Sequence, residues 1–347
     1  MIPRAFCEFP AGLASVSLRL HGGSKCRPPI SRIGNKAGYA EAILWTLGLT
    51  AGKSASAYVW AEADDDVRAL LQAYPDPAML LRIAEIIRGW ADEEPRALWE
   101  RLRAERKART ASGAAGEVAA WIQQSVWSYR QGDLTSGGPV LPGDRRQDTT
   151  ATATATATAS LAEFAMLASS NRLINVAAWI QQSVWSYEQG NVKTGFFGPG
   201  DGRKDTTATA TAIATARMVS NWPPVAVLPR IPSGADLSAL LGTPGDLEGV
   251  VVYMDPPYLN TTGYLHDLGR GALIGHALDL SGMGATVAIS EAEAIPELVA
   301  AGWYVADLTA GRKGQKRTFS KQQGEYLTMT SEPRYTIPEQ VGLFGTL

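Results

Sequence analysis

The apolar run Val250, Val251, Val252, Tyr253 and Met254 stops abruptly at Asp255, Pro256, Pro257 and Tyr258. A short uninterrupted run closed by turn residues predicts a strand buried on both faces. Neither proline donates a backbone hydrogen bond, and Pro256 biases Asp255 away from the helical region, so the strand ends here with its polar residues at a sheet edge. Downstream, apolar periodicity predicts strands at 285–290, 303–308 and 324–330 and helices at 273–280 and 294–301, the second stopped by Gly302. The last two strands form an antiparallel pair. Upstream, Ala57, Tyr58, Val59, Trp60 and Ala61 read as a short strand delivering Glu62, Asp64, Asp65 and Asp66 to the start of a helix spaced by Val67, Leu70, Leu71 and Tyr74. Tyr39, Ile43, Leu44 and Leu47 predict a helix stopped by Gly48. Residues 222–229 mark re-entry to the sheet, followed by a short helix at 237–241. Residues 1–30 mix Pro, Gly and short apolar pieces and predict a loop or a short edge strand. Alternating strands and helices of these lengths predict an α/β fold with a doubly wound sheet.

The middle of the chain has a different texture. Asp76 and Pro77 open a helix to Gly89, a highly charged helix runs from 93 to about 109, and residues 111–116 break the pattern. Residues 118–129 then recur identically at 176–187, within a near-identical unit that ends in Ala-Thr alternation at 151–159 and 208–216. Two copies imply duplication and fall short of a solenoid. Val118, Trp121, Ile122 and Ser125 share a helical face, as do Val176, Trp179, Ile180 and Ser183. Strict alternation suits a strand, but alanine and the preceding Asp148 or Asp205 favour helix for the Ala-Thr runs. Residues 111–220 are therefore expected to form a mainly helical insert between two halves of one α/β domain, 1–110 and 221–347.

Composition narrows the functional classes. The chain has 347 residues, 45% of them hydrophobic, enough for a large core. With 32 basic against 34 acidic residues its formal charge is -2, so contact with nucleic acid must come from local patches. Cys7 and Cys26 supply no disulfide framework, no Cys/His cluster has metal-ligand spacing, and His21, His266 and His276 show no paired arrangement. No run reaches 18 apolar residues and the N-terminus shows no secretory pattern. The expectation is a soluble, metal-free protein of the reducing cytosol, without a membrane partner.

The candidate chemistry sits at the strand ends. The Asp255 carboxylate, the carbonyl of Pro256, the fixed turn at Pro257 and the Tyr258 ring suit a planar group carrying an amine: acceptors take the amine hydrogens while the ring stacks. Arg32, Gly34, Asn35 and Lys36 form a tight turn before a helix, suited to a carboxylate or other acidic group of a cofactor. An acidic side chain at an early strand end, Glu62 or Asp64, can take both hydroxyls of a ribose. Arg312, Lys313, Lys316 and Arg317 are the strongest basic patch, with Lys193, Arg203 and Lys204 beside Phe196 and Phe197 in the second repeat, and Arg145 and Arg146 in the first. Such patches can follow a phosphate backbone. The mobile wall of a pocket is expected at 260–264.

Asp255-Pro256-Pro257-Tyr258 after an apolar strand, together with Arg32-Ile33-Gly34-Asn35-Lys36, resembles the Dam-like, D12-class adenine-N6 DNA methyltransferases, particularly divergent bacteriophage and prophage forms. The order of parts is similar over residues 29–74 and 223–330: Gly-Asn-Lys turn, acidic strand end, helical insert, Asp-Pro-Pro-Tyr, a strand ending in Ser290, and a terminal Glu325-Tyr326-Leu327 strand. The resemblance implies a Rossmann-like sheet, S-adenosylmethionine as cofactor, double-stranded DNA as partner, a bacterial host cytoplasm, and a target-recognition role for the insert. It also implies direct methyl transfer to an adenine flipped onto Tyr258, its amine held by Asp255 and the Pro256 carbonyl. The family's Pro-Phe-x-Gly-x-Gly loop has no counterpart around the acidic strand, where only Gly48 to Gly52 carries glycines: either the first strand and loop are compressed into residues 48–61, or Ala57 to Asp64 is itself the first strand with its glycines lost. That departure supports an alternative, a DNA-binding or phage structural module that kept the fold and lost the cofactor. Methylation of RNA or of protein glutamine is a third reading of the same acceptor site.

Overall fold

In the computed structural model β1 (Ala5–Phe9) lies between β2 (Tyr58–Ala61) and β4 (Val250–Met254), parallel to both. The full order is β3-β2-β1-β4-β5-β7-β6, with β3 at Val225–Leu228, β5 at Thr286–Glu291, β6 at Tyr304–Asp307 and β7 at Tyr326–Met329. β7 alone runs antiparallel, to both β5 and β6. The structure describes residues 2–23, 26, 36–76, 78–79, 82–83, 86, 95–108, 113–127, 222–258, 268–311 and 324–334.

The first thirty residues correct the expectation drawn from their composition. β1 is a central strand, fully buried, and α1 (Ser15–Gly22) follows it. A charged Glu8 inside a five-residue strand flanked by prolines hid the apolar pattern. In the structure Glu8 faces α1, where its carboxylate accepts from Val16 N–H at 3.3 Å, Ser17 N–H at 2.8 Å and Ser17 Oγ–H at 2.6 Å. Those amides belong to the first turn of α1, whose N-cap residue Ala14 offers no side-chain bond. Glu8 takes over the cap's task from the sheet.

The pleat sorts the two faces. Ala5, Cys7, Phe9, Val59, Ala61, Val250, Val252, Met254, Val287 and Ile289 pack with Leu237 of α6 (Gly234–Leu240), Leu273, Ala277 and Leu280 of α7 (Arg270–Gly282) and Leu298 of α8 (Pro296–Ala300). The alternate positions, Phe6, Glu8, Tyr58 and Trp60, lie on the opposite face, where Trp60 Nε1–H donates to Ser17 Oγ of α1 at 2.9 Å. Buried Ala40, Ile43 and Leu44 of α2 (Ala40–Thr46) belong to the same unit. Helices cover both faces, as a doubly wound sheet requires. Edge strands β3 and β6 are the least buried, whereas β1, β2 and β4 are wholly buried.

The chain divides into two compact units, one of residues 1–24, 34–68 and 223–347 and one of 25–33 and 69–222. The first contains the sheet. α3 (Asp65–Ala73) runs from the first into the second, which contains α4 (Pro95–Ala108) and α5 (Gly113–Trp127). Leu98 and Leu102 of α4 form a small core with Ala120 of α5. The glycines at 113 and 116 lie inside α5, so the break expected across 111–116 is shorter than the sequence suggests: Gly113, at φ +76, starts a helix that buries Val118, Ala119, Ala120 and Trp121. The second repeat and both Ala-Thr runs lie outside the described residues.

Candidate active site

β1 and β4 are neighbours whose onward connections leave in opposite directions, the arrangement that opens a crevice beyond the carboxyl ends of parallel strands. Asp255 N–H donates to Phe9 O at 3.0 Å and ties the two strand ends together. The Asp255 carboxylate keeps 20% of its surface exposed and pairs with Lys36 Nζ at 2.8 Å. Lys36 opens a single 3-10 turn, Lys36–Gly38, which Arg19 of α1 holds by donating from Nη2 to Ala37 O at 3.2 Å. The same ammonium lies 3.8 Å from Glu325 Oε2 and 4.3 Å from the centre of the Tyr258 ring. The Tyr258 hydroxyl donates to Glu325, both of whose carboxylate oxygens lie at 2.8 Å. Pro256 is buried and Pro257 half-buried between these side chains in the chain. Tyr253 and Ser290, on the adjacent strands β4 and β5, share a 2.7 Å hydroxyl contact.

Two carboxylates thus share one ammonium. Burial raises the Asp255 carboxyl above its ordinary range, and the charge and hydrogen bond of Lys36 oppose the rise. Burial also raises Glu325, again against Lys36, with Asp255 adding to the rise. The Tyr258 hydroxyl is driven far up by burial and by its two carboxylate neighbours, so it stays protonated and acts as a donor. At the end of β5 burial pushes Glu291 up to about 6. An acceptor carboxylate, an aromatic face and a cation are therefore collected at one edge, a set chemically suited to an amine on a planar group.

Beside this cluster stands a glycine turn the sequence reading did not find. β1 leads through Pro10, Ala11, Gly12, Leu13 and Ala14 into α1. Ala11 N–H donates to Ala61 O at 2.8 Å, and Gly12 N–H to Glu62 Oε2 at 2.8 Å. Gly12 has φ +49, and a Cβ there would meet no atom within 4 Å, so the turn borders open space. Ala14 is left-handed at φ 50, a conformation costing a non-glycine residue about 1–2 kcal/mol and often kept where a site needs it. A strand, a glycine turn and a helix thus follow one another over residues 5–22. Gly48 and Gly52 close turns after α2 instead, at φ +71 and +80. The signal was present in Phe9-Pro10-Ala11-Gly12 followed by Val16, Leu18 and Leu20, but Glu8 and the proline disguised the strand before it.

The two acids proposed for a ribose do different things. Glu62 is buried directly after β2, and its Oε1 accepts from Asp64 N–H at 2.9 Å while its Oε2 holds Gly12. Asp64 Oδ1 accepts from Asp66 and Val67 N–H at 3.0 and 3.3 Å, which makes it the N-cap of α3. Lys36 and Asp255 are brought together with Tyr258. Glu325, Glu291, Tyr253 and Ser290 join them without having been singled out as site residues. Arg32, Gly34, Asn35, the basic residues Arg312, Lys313, Lys316, Arg317, Lys193, Arg203 and Lys204, and residues 260–264 lie outside the described residues.

No model of a known protein family matches the chain, and no curated protein matches it either. The class is therefore defined by architecture: a Rossmann-like α/β protein with an inserted helical region, its topology consistent with a methyltransferase-like fold. Among the described residues no group of His, Cys, Asp or Glu is arranged to hold a metal ion, and no helix is long and apolar enough to cross a membrane.

Proposed function

We propose that the chain transfers a methyl group from S-adenosylmethionine to an exocyclic amine of double-stranded DNA, adenine N6 foremost. The observation that carries this reading is the meeting of Asp255, Tyr258 and Lys36 at the same sheet edge as the Gly12 turn. The residues present fit the cofactor. The Gly12 turn leaves room for close approach, and Glu62, held beside that turn directly after β2, is placed as the acidic strand-end residue that accepts ribose hydroxyls. Phe9-Pro10-Ala11-Gly12-Leu13-Ala14 is similar to the family's Pro-Phe-x-Gly-x-Gly loop with the first two residues exchanged. Ala14 stands at the second glycine and adopts the left-handed conformation glycine favours. This supports the enzymatic reading over the cofactor-free module, whose argument was the missing loop.

When bound, S-adenosylmethionine supplies an electrophilic methyl carbon on a sulfonium. Asp255 and the Pro256 carbonyl accept the two amine hydrogens and aim the nitrogen lone pair, and Tyr258 stacks the flipped base. The Asp255 carboxylate then stabilises the positive charge that develops on the nitrogen, and its raised pKa suits it to receive the proton the product loses. The basic patch Arg312, Lys313, Lys316 and Arg317, with Lys193, Arg203 and Lys204, is assigned to the phosphate backbone on sequence grounds, and the bacterial cytoplasm is where such a reaction would run.

The test is tritiated-methyl incorporation into unmethylated DNA with mass analysis of the nucleosides, beside calorimetric titration with the cofactor. N6-methyladenine supports the assignment. N4-methylcytosine keeps the mechanism and changes the base, label in RNA or protein glutamine moves the acceptor class, and no heat or thermal stabilisation at millimolar cofactor returns the binding module.

A further inference from the structure

Resting on that reading, we infer that Glu325 is a positioning residue: it is the second counter-ion to which Lys36 moves when the target amine takes its place on Asp255. In the free protein the Lys36 ammonium occupies the acceptor position itself, 2.8 Å from Asp255 Oδ1 and 4.3 Å from the Tyr258 ring centre. A primary amine bound for transfer needs those same two contacts. Lys36 therefore has to give up Asp255 before the amine can be held.

A buried ammonium does not leave its partner without another charge to meet, because the desolvation cost falls on the unpaired ion. Glu325 supplies that charge. Its Oε2 is 3.8 Å from Lys36 Nζ, about 1 Å longer than the Asp255 contact, so a small displacement exchanges one pair for the other. Glu325 is itself fixed: it is 4% exposed, its backbone N–H donates to Thr309 Oγ1 at 3.1 Å, and the Tyr258 hydroxyl bonds its carboxylate. Its carboxylate thus stays in place while the lysine moves. The bond to Tyr258 couples the two acceptor elements, since the residue that receives the lysine also sets the tilt of the ring on which the base stacks.

Glu325→Gln separates the two tasks. The amide oxygen still accepts from the Tyr258 hydroxyl, and the shape is conserved, so folding is retained; the charge that receives Lys36 is lost, together with one of the two acceptor oxygens that Tyr258 and Ser290 share. At saturating S-adenosylmethionine, with unmethylated DNA of mixed sequence as acceptor, the KM for DNA should rise about tenfold with kcat little changed. A readout independent of turnover is the acetylation rate of Lys36 by acetic anhydride, followed by peptide mass analysis: it should rise several-fold in Glu325→Gln, where the ammonium has one carboxylate fewer. Either an unchanged KM or an unchanged acetylation rate would overturn the inference. A wild-type protein that neither binds the cofactor nor labels DNA fails the proposed function instead, and the order of measurement keeps the two failures apart.

Discussion

Gly12 N–H donates a 2.8 Å hydrogen bond to Glu62 Oε2, so the turn after β1 and the carboxylate after β2 form one continuous wall. Asp64, two residues on, faces its own helix instead, through the amides of Asp66 and Val67. The two acids should therefore separate experimentally. Glu62→Ala should weaken S-adenosylmethionine and its demethylated product alike, because both carry the ribose. Asp64→Ala should leave that affinity in place and cost about 1 kcal/mol of stability, the usual value of a helix cap. Calorimetry and denaturant unfolding on the two variants check both halves.

Asp255→Ala should abolish methyl transfer while leaving the fold and cofactor affinity mostly intact. The variant removes the acceptor of the target amine and leaves Lys36 its second carboxylate at Glu325. Equal product from variant and wild type in the tritium assay would remove Asp255 from the chemistry.

Tyr258→Ala should weaken use of the flipped base by roughly 1–3 kcal/mol, the scale of a base stacked on an aromatic ring. Tyr258→Phe should be milder, since it keeps the ring and loses the bond to Glu325. Single-turnover rates on the two variants rank these effects; a phenylalanine variant as impaired as alanine would mean that the hydroxyl, not the ring, matters.

Glu8 makes stability depend on pH. Burial pushes its carboxyl from the ordinary 4.5 up to about 7, against the hydrogen bonds from Ser17 and Val16. A native pKa above the unfolded one favours the neutral acid, so this contribution is complete below pH 4.5 and is lost as pH rises through 7. A shift of that size corresponds to about 3 kcal/mol. Asp255, Glu325 and Glu291 shift the same way, so the informative quantity is the difference between proteins. Glu8→Gln should lose less stability than wild type between pH 4.5 and 7 in denaturant titrations; parallel curves would acquit Glu8.

β4 and the residues after it were readable in the sequence because five apolar side chains in a row followed by two prolines leave one local solution. The strands and helices of the carboxyl-terminal half, including the antiparallel β7, were readable for the same reason of clean apolar periodicity. β1 was not, because its pattern contains Glu8, whose burial makes sense only once α1 is folded against it. The glycine turn was missed with the strand that precedes it. Lys36 and Tyr258 were recognisable as members of a pattern, but their contact was not. The role of Glu325 was further out of reach: it depends on β7 lying between β5 and β6, which places a carboxylate 67 positions away against the Tyr258 hydroxyl.

β2 and β3 pair directly, Tyr58 opposite Val225, although the whole duplicated region separates them in the chain. Joining two such strands has an entropic cost that grows only with the logarithm of the intervening length. Excising one repeat unit, residues 118–175, shortens the connection by roughly a third and changes that cost by less than about 0.6 kcal/mol. The sheet is thus nearly indifferent to how many copies the chain carries. Identical stretches at 118–129 and 176–187 are natural partners for recombination, so copy number can change at little cost to the pairing of β2 with β3.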